Sequence, residues 1–289
     1  MNPSAAPVSG HGRRIGAAIS SLRDYIARGL VRLGVTPNGV TIFGFFLTCG
    51  AGWCLAYGAG QQVLYWRWGH TDGDASRWGL GAGIFLILSA ACDMLDGAVA
   101  RVGKLRSEVG AVLDSTLDRF SDIAIFLGIA WYFAWHGNLT YTVLAYVALC
   151  NTFLISYIKA RAEDVIPDCT VGWWQRGERY VALLLGCFFG HMPAVLWQLS
   201  LSAGFTVIRR LEYAWRAVRA FEQGRPQPTQ GPPAAWWGRL MLWYYPRRTW
   251  QHDVVAAFHI SYIIFAPLFV PALRATGAYT DPLRAWLGG

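Results

Sequence analysis

Charge is scarce in this sequence. Asp, Glu, Lys and Arg together make up 15% of its 289 residues, where a soluble domain carries about a quarter. Metal-type cysteine spacing is missing too. The six cysteines (Cys49, Cys54, Cys92, Cys150, Cys169 and Cys187) include no C-x-x-C pair. Most fall inside apolar runs, where a thiol packs as a small hydrophobe, so neither a disulfide framework nor a zinc site is expected. The six histidines show no ligand spacing. His252 and His259 are seven apart and would share a helix face, a pairing read as packing or interface. There is no unbroken apolar core of signal-peptide type near the start, and no internal repeat stands out.

Long apolar runs are what the chain has instead. It is 54% hydrophobic, with 15 Trp, 13 Tyr and 15 Phe, and a bilayer span needs about 20 mostly apolar residues. Such runs are predicted at Val40–Gly58, Gly79–Ala100, Gly110–Trp135, Tyr141–Ile158 and Tyr180–Leu196. A shorter sixth, Leu199–Ile208, is expected to continue as a helix past the arginines that follow it. A candidate seventh, Val254–Leu273, comes after the Pro- and Gly-rich break "QGRPQPTQGPP" at 223–233, which reads as a linker. The fold class is all-α: a polytopic membrane bundle of six core helices plus the seventh segment. The predicted organisation is a disordered 1–12, a membrane domain over 13–219 and a C-terminal extension over 220–289.

The formal charge of +8 is unevenly placed. Arg13, Arg14, Arg23, Arg28 and Arg32 precede the first span, and Arg101, Lys104 and Arg106 follow the second. Lys159, Arg161, Arg176 and Arg179 separate the fourth from the fifth. Arg209, Arg210, Arg216 and Arg219 end the sixth. The alternate loops are poor in basic residues, so the positive-inside rule puts the N-terminus and the 101–110 and 159–179 loops in the cytoplasm. A spanning seventh helix would then leave the C-terminus outside. In "RRIGAAISSLRDYIARGLVRLG" (13–34), Ile15, Ile19, Leu22, Ile26, Leu30 and Leu33 recur every three or four residues with arginines on other faces. That pattern predicts an amphipathic helix lying in the cytoplasmic interface.

Against this background the crowd of acids in "CDMLDGAVARVGKLRSEVGAVLDSTLDRFSD" (92–122) needs a reason. A carboxylate at the centre of a membrane helix costs about 2.5–3.5 kcal/mol on insertion scales. Asp93 and Asp96 end the second span and Asp114 and Asp118 open the third, so they sit near the cytoplasmic face. The first pair is three apart and the second four apart, so each shares a helix face. The short connection makes the helices antiparallel neighbours, and the four carboxylates can converge. Together they would repel strongly without a cation. Hard divalent ions such as Mg²⁺, with positions open to substrate phosphate, suit such a cluster, and two would clamp a phosphoryl group. Gly97, Ala98, Ala100, Gly103 and Gly110 leave room for a bulky group, and Arg101 can pair a phosphate. Asp122 is left without a role.

The spacing D-x2-D-G-x2-A-R-x8-G-x3-D-x3-D, met at Asp93, Asp96, Gly97, Ala100, Arg101, Gly110, Asp114 and Asp118, resembles the signature of the CDP-alcohol phosphotransferases. The resemblance implies attack of an alcohol on the β-phosphate of a CDP-linked donor, usually CDP-diacylglycerol, with CMP leaving. It implies that the four aspartates hold two Mg²⁺ ions (Mn²⁺ as the alternative) and that Asp118 doubles as general base. Gly97, Arg101, Ser107 and the "TPNG" run Thr36, Pro37, Asn38 and Gly39 look like donor contacts, the last being equally an ordinary helix start. The same likeness suggests a homodimer; the expected location is a bacterial inner membrane, with the active site put at the cytoplasmic face by the positive-inside rule. No nucleic-acid partner is expected.

The acceptor is read from a second, basic feature. "SYIKARAE" (156–163), "QRGER" (175–179) and "VIRRLEYAW" (207–215) could each bring one cation beside the acids, which suits an anionic acceptor such as a polyol phosphate. Positive-inside charge alone is the alternative reading of the same residues. These runs, with "IARGLVRLGVTPNGVT" and "VGAVLDSTLDRFSD", resemble the phosphatidylinositol phosphate synthases of the family, which use inositol 1-phosphate. The likeness implies that Lys159, Arg179 and Arg210 bind the acceptor's phosphate. Gln175 stands where that group has Glu, the 59–79 loop is long, and 220–289 has no counterpart there. Glycerol 3-phosphate, giving phosphatidylglycerol phosphate, is the alternative acceptor. An intramembrane prenyltransferase would spread its acids over distant loops, and a cation transporter would place them near the midplane.

Overall fold

The computed structural model describes residues 10–63, 75–228 and 249–270, with 273, 281, 283 and 286, and side chains from Ser20 onward. Among the described residues the regular structure is helical apart from a two-residue parallel pairing of Gln62–Val63 with Ala75–Ser76. The helices are α1 (Gly10–Arg32), α2 (Pro37–Gly58), α3 (Trp78–Val102), α4 (Glu108–Trp135), α5 (Leu139–Glu163), α6 (Arg176–Phe189), α7 (Met192–Trp197), α8 (Ala203–Glu222) and α9 (Trp250–Phe269). A π-helical turn, Gln198–Ser202, joins α7 to α8. Four of the described helices, α2, α3, α5 and α9, are long and apolar enough to cross a membrane. The six cysteines are free thiols. Helix α1 begins three residues before the predicted start; the rest of the expected disordered N-terminus, 1–9, and most of the 223–233 linker lie outside the described residues.

The chain divides into two compact units, residues 1–53 with 81–125, and residues 54–80 with 126–289. In the first, α2 packs against α3 and α4 through small residues, as membrane helices do where no hydrophobic driving force separates them from lipid. A Cβ on Gly44 would lie 3.0 Å from the Cys92 side chain, and one on Gly52 would collide with the Ala124 carbonyl. Thr48 and Ser89 share a 2.6 Å hydrogen bond across the α2–α3 contact. Helix α1 lies on the end of α3, with Ala27 against Ala98 and Val99 and with Leu30 and Val31 beside them.

In the second unit α5 packs along α8. Two backbone defects in this unit are each met by a side chain. The π turn shifts the hydrogen-bond ladder by one residue, and Asn151 of α5 donates its amide to the carbonyls of Leu199 (3.0 Å) and Ser200 (2.7 Å). Pro267, inside α9, has no N–H, so the carbonyl of Ile263 loses its helical partner. Buried His191 reaches it with Nδ1 at 2.8 Å. One turn earlier, Gln198 donates to the carbonyl of His259 at 3.2 Å. These bonds fix α9 in register along α7 and the π turn. Near the C-terminus, the Asp281 carboxylate accepts from the first backbone N–H groups of α5, Leu139 and Thr140, where the helix dipole favours an anion.

Two predicted spans change. The fifth, expected over 180–196, is broken: α6 ends at Phe189, and Gly190 turns the chain in the left-handed conformation (φ 69°). Its 14 residues extend ~21 Å, short of a hydrocarbon core of about 30 Å. The sixth starts earlier than expected, at Met192, and runs through the π turn to Glu222, past the arginines as predicted.

Candidate active site

The acids meet at the junction of α3 and α4. Asp93 lies on α3 and Asp114 and Asp118 on α4. One carboxylate oxygen from each lies within 4.8 Å of the other two, a grouping that can hold a metal ion. Asp93 is exposed and the other two are half-buried, so the cluster opens toward a substrate. The donor set is all carboxylate oxygen, the preference of Mg²⁺ and Mn²⁺ rather than of softer ions.

The fourth predicted ligand is arranged differently. Asp96 Oδ2 accepts from the Thr41 hydroxyl at 2.9 Å and Oδ1 accepts from the Gly97 N–H at 2.5 Å. It therefore stands outside the three-carboxylate group, held by a threonine that the sequence does not single out. Asp122 forms an ion pair with Arg119 one turn earlier, at 3.6 Å.

The residues expected to contact the donor gather around the helix starts. Thr36 Oγ1 accepts from the Gly39 N–H at 3.2 Å, capping α2. Ser107 Oγ accepts from the Gly110 N–H at 3.0 Å, capping α4. Both are N-cap bonds of the usual kind. Gly110 is where these two starts approach: a Cβ there would sit 3.1 Å from Asn38 Oδ1 and 3.0 Å from Ser107 Oγ. Pro37 opens α2, where its missing N–H costs nothing. Gly97 is open, with nothing within 4 Å of a built Cβ. Arg101 is exposed in the last turn of α3.

The basic residues belong to the second unit. Lys159 is partly exposed, with a long 3.8 Å ion pair to Glu163. Arg179 is 4% exposed and donates Nη1 to the Trp174 carbonyl at 3.0 Å. Arg210, 1% exposed, donates Nε and Nη2 to the Val171 carbonyl (3.0 and 2.9 Å), Nη1 to the Ile155 carbonyl (2.6 Å) and Nη2 to Gln175 Oε1 (2.7 Å). Four of the five N–H donors of a guanidinium are thus used within the fold. Gln175, the departure noted in the sequence, is one of those partners. Both arginines grip the 171–175 connection before α6. Cys169 lies close by, and burial pushes its thiol pKa up, keeping it neutral.

Residues 34–209 match the CDP-alcohol phosphatidyltransferase family. The chain is 35% identical, over 217 residues, to the phosphatidylinositol phosphate synthase of Mycobacterium tuberculosis (strain ATCC 25618 / H37Rv), covering 72% of this chain and 92% of that protein. It is 31% identical over 194 residues to the archaetidylinositol phosphate synthase of Methanothermobacter thermautotrophicus, covering 65% and 87%. Among solved structures it is similar to the M. tuberculosis phosphatidylinositol phosphate synthase with CDP-DAG bound (TM-score 0.57, 29% identity, 68% of this chain and 94% of that one). It is also similar to the same enzyme in complex with manganese and citrate (TM-score 0.56, 30% identity, 67% and 88%). The chain belongs to the CDP-alcohol phosphatidyltransferase family and is an integral membrane enzyme of that type.

Proposed function

We propose that this CDP-alcohol phosphatidyltransferase transfers the phosphatidyl group of CDP-diacylglycerol to a hydroxyl of inositol 1-phosphate, giving phosphatidylinositol phosphate and CMP. The observation that carries the reaction class is the meeting of Asp93, Asp114 and Asp118 at one open point. The acceptor rests on the relatives. The similar bacterial and archaeal enzymes differ by name in their lipid part, phosphatidyl against archaetidyl, and share inositol phosphate.

The residues divide the work as follows. Asp93, Asp114 and Asp118 would hold divalent metal, Mg²⁺ or Mn²⁺, with Asp96 beside them as the fourth carboxylate. The metal, two ions on the family's pattern, supplies positive charge to the donor diphosphate and to the leaving CMP. Asp118 takes the proton from the acceptor hydroxyl. The freed oxygen forms its bond to the β-phosphorus, and the P–O bond to CMP breaks with its electron pair staying on CMP. Gly97 lets the diphosphate approach bare backbone and Arg101 pairs with it. Thr36, Pro37, Asn38, Gly39 and Ser107 line the nucleotide's side. Lys159, Arg179 and Arg210 bind the acceptor's phosphate, Lys159 by exchanging its long contact with Glu163, Arg179 from α6 and Arg210 from α8.

In the membrane, α1 lies in the cytoplasmic interface. The six core helices correspond to α2, α3, α4, α5, α6 and the α7–α8 run, α6 being too short to cross by itself, and α9 is the added C-terminal span, in a homodimer of the bacterial inner membrane with the acids at the cytoplasmic face. The predicted 13–219 membrane domain and 220–289 extension remain the working division. Purified protein supplied with CDP-diacylglycerol and each acceptor separately tests the reading. CMP release with inositol 1-phosphate is expected; product with glycerol 3-phosphate alone would overturn the acceptor.

A further inference from the structure

Helix α9 lies beyond the residues that match the family, yet its side chains reach the connection that both buried arginines grip. His259, 5% exposed, stacks on Trp173 with ring centroids 5.6 Å apart and meets Trp174 edge-on at 4.9 Å. His252, two turns earlier, packs on Trp173 at 4.4 Å. The two histidines share a helix face, and that face is a clamp for two indoles.

Those indoles belong to the 171–175 connection, which carries the Val171 and Trp174 carbonyls and Gln175 Oε1 that Arg210 and Arg179 grip. On its other side the connection is pinned to α8. Trp174 donates Nε1 to Ser202 Oγ at 2.8 Å. Gly172 has φ 96°, and a Cβ there would collide with Thr206. Against α9 the contact leaves a half-open pocket of about 280 Å³ between α6 and α9, lined by Trp173, Trp174, Glu178, His252 and His259 among others. On that side the histidine ring contacts are what meet the two indoles. The bonds from His191 and Gln198 to the α9 backbone fix which turn of α9 faces them.

We propose that α9 is a positioning element for the acceptor site, with His259 and His252 stacked on Trp173 and Trp174 to hold the 171–175 connection and so to aim Arg179 and Arg210. This rests on the assignment of those arginines to the acceptor's phosphate. His259 and His252 are positioning residues; they touch no reacting atom in this scheme.

The full-length chain in detergent tests it. His259→Leu should raise KM for inositol 1-phosphate about fivefold to tenfold, the loss of one to two aromatic contacts, with kcat and KM for CDP-diacylglycerol within about twofold by the same scale. His259→Phe keeps a ring in the stack and should restore most of the acceptor KM. His252→Ala, at the first turn of α9, should show the same pattern at about threefold and serves if His259→Leu does not fold. Amide exchange over 164–176 should rise in His259→Leu and return in His259→Phe. Equal rises in both substrate KM values, or unchanged exchange in that segment, would overturn the proposal. Faster exchange in the segment with an unchanged acceptor KM would overturn the positioning role alone; an unchanged acceptor KM in Arg179→Gln would sink the assignment of the arginines beneath it. Wild-type turnover with glycerol 3-phosphate alone would change only the acceptor's name, and the same variants would then be read with that substrate.

Discussion

Thr41 and Asp96, 55 residues apart, share a 2.9 Å hydrogen bond that holds one of the four signature acids while the other three form the carboxylate group. The bond gives the Asp96 carboxylate a fixed position beside the cluster. A hydrogen bond to a charged group is worth about 1.5–3 kcal/mol. Thr41→Val keeps the shape and removes the donor. The expected result is a change of about tenfold in the metal concentration for half-maximal activity, read by titrating Mg²⁺ into metal-free enzyme. An unchanged titration would mean that Thr41 does not set the position of Asp96.

Asp118 and Asp122 are neighbours on α4 with opposite expected fates. Asp118 belongs to the carboxylate cluster, whereas Asp122 is paired with Arg119. Loss of a general base costs about 10²–10⁴-fold, so Asp118→Asn should all but abolish CMP release. Asp122→Asn removes an ion pair at the far side of one turn and should leave activity within about threefold. Comparable losses in both variants would place the base elsewhere or give Asp122 a direct role.

Removing metal should stop turnover without unfolding the protein, because Asp93 is exposed and Asp114 and Asp118 are only half-buried, outside the apolar contacts. Chelation followed by circular dichroism and an activity assay checks both halves; Mg²⁺ or Mn²⁺ should restore activity. The free Mn²⁺ signal in electron paramagnetic resonance should fall on adding wild-type protein and fall much less with Asp93→Asn/Asp114→Asn. Equal Mn²⁺ uptake by that double variant would move the metal away from the cluster.

The acidic site was the most legible part of the molecule, because its information is local. The i,i+4 spacing of Asp114 and Asp118 and a short turn back to Asp93 suffice to bring three carboxylates together. The partner of Asp96 was not legible: Thr41 is ordinary in sequence, and only the packing of α2 on α3 makes it a donor. Arg210 teaches the same lesson with opposite effect. Its charge was visible, but the three carbonyl bonds and the Gln175 contact that use most of its donors come from segments 35 to 55 residues away. The broken fifth span did carry a signal, since "GHMP" has a helix-ending glycine and a helix-starting proline within four residues. Apolar character on both sides masked it. The pairing of His252 with His259 on one face was legible as packing; the indoles that receive them were not.

The bond between His191 and Ile263 is the most direct measure of how firmly α9 is built into the bundle. Pro267 creates the need for it by withholding an N–H from the Ile263 carbonyl, and His191 supplies one at 2.8 Å. His191→Ala should leave that carbonyl buried without its donor and lower stability by about 1–3 kcal/mol. Pro267→Ala returns the helix's own N–H, so the two donors compete for one acceptor and the single variant should change stability little. In the His191→Ala background, however, Pro267→Ala should recover about 1 kcal/mol or more of the loss. A double-mutant cycle on thermal unfolding in detergent measures this. Additive effects would mean that His191 and Pro267 act independently, and that α9 is held by side-chain packing and not by the carbonyl that its proline exposes.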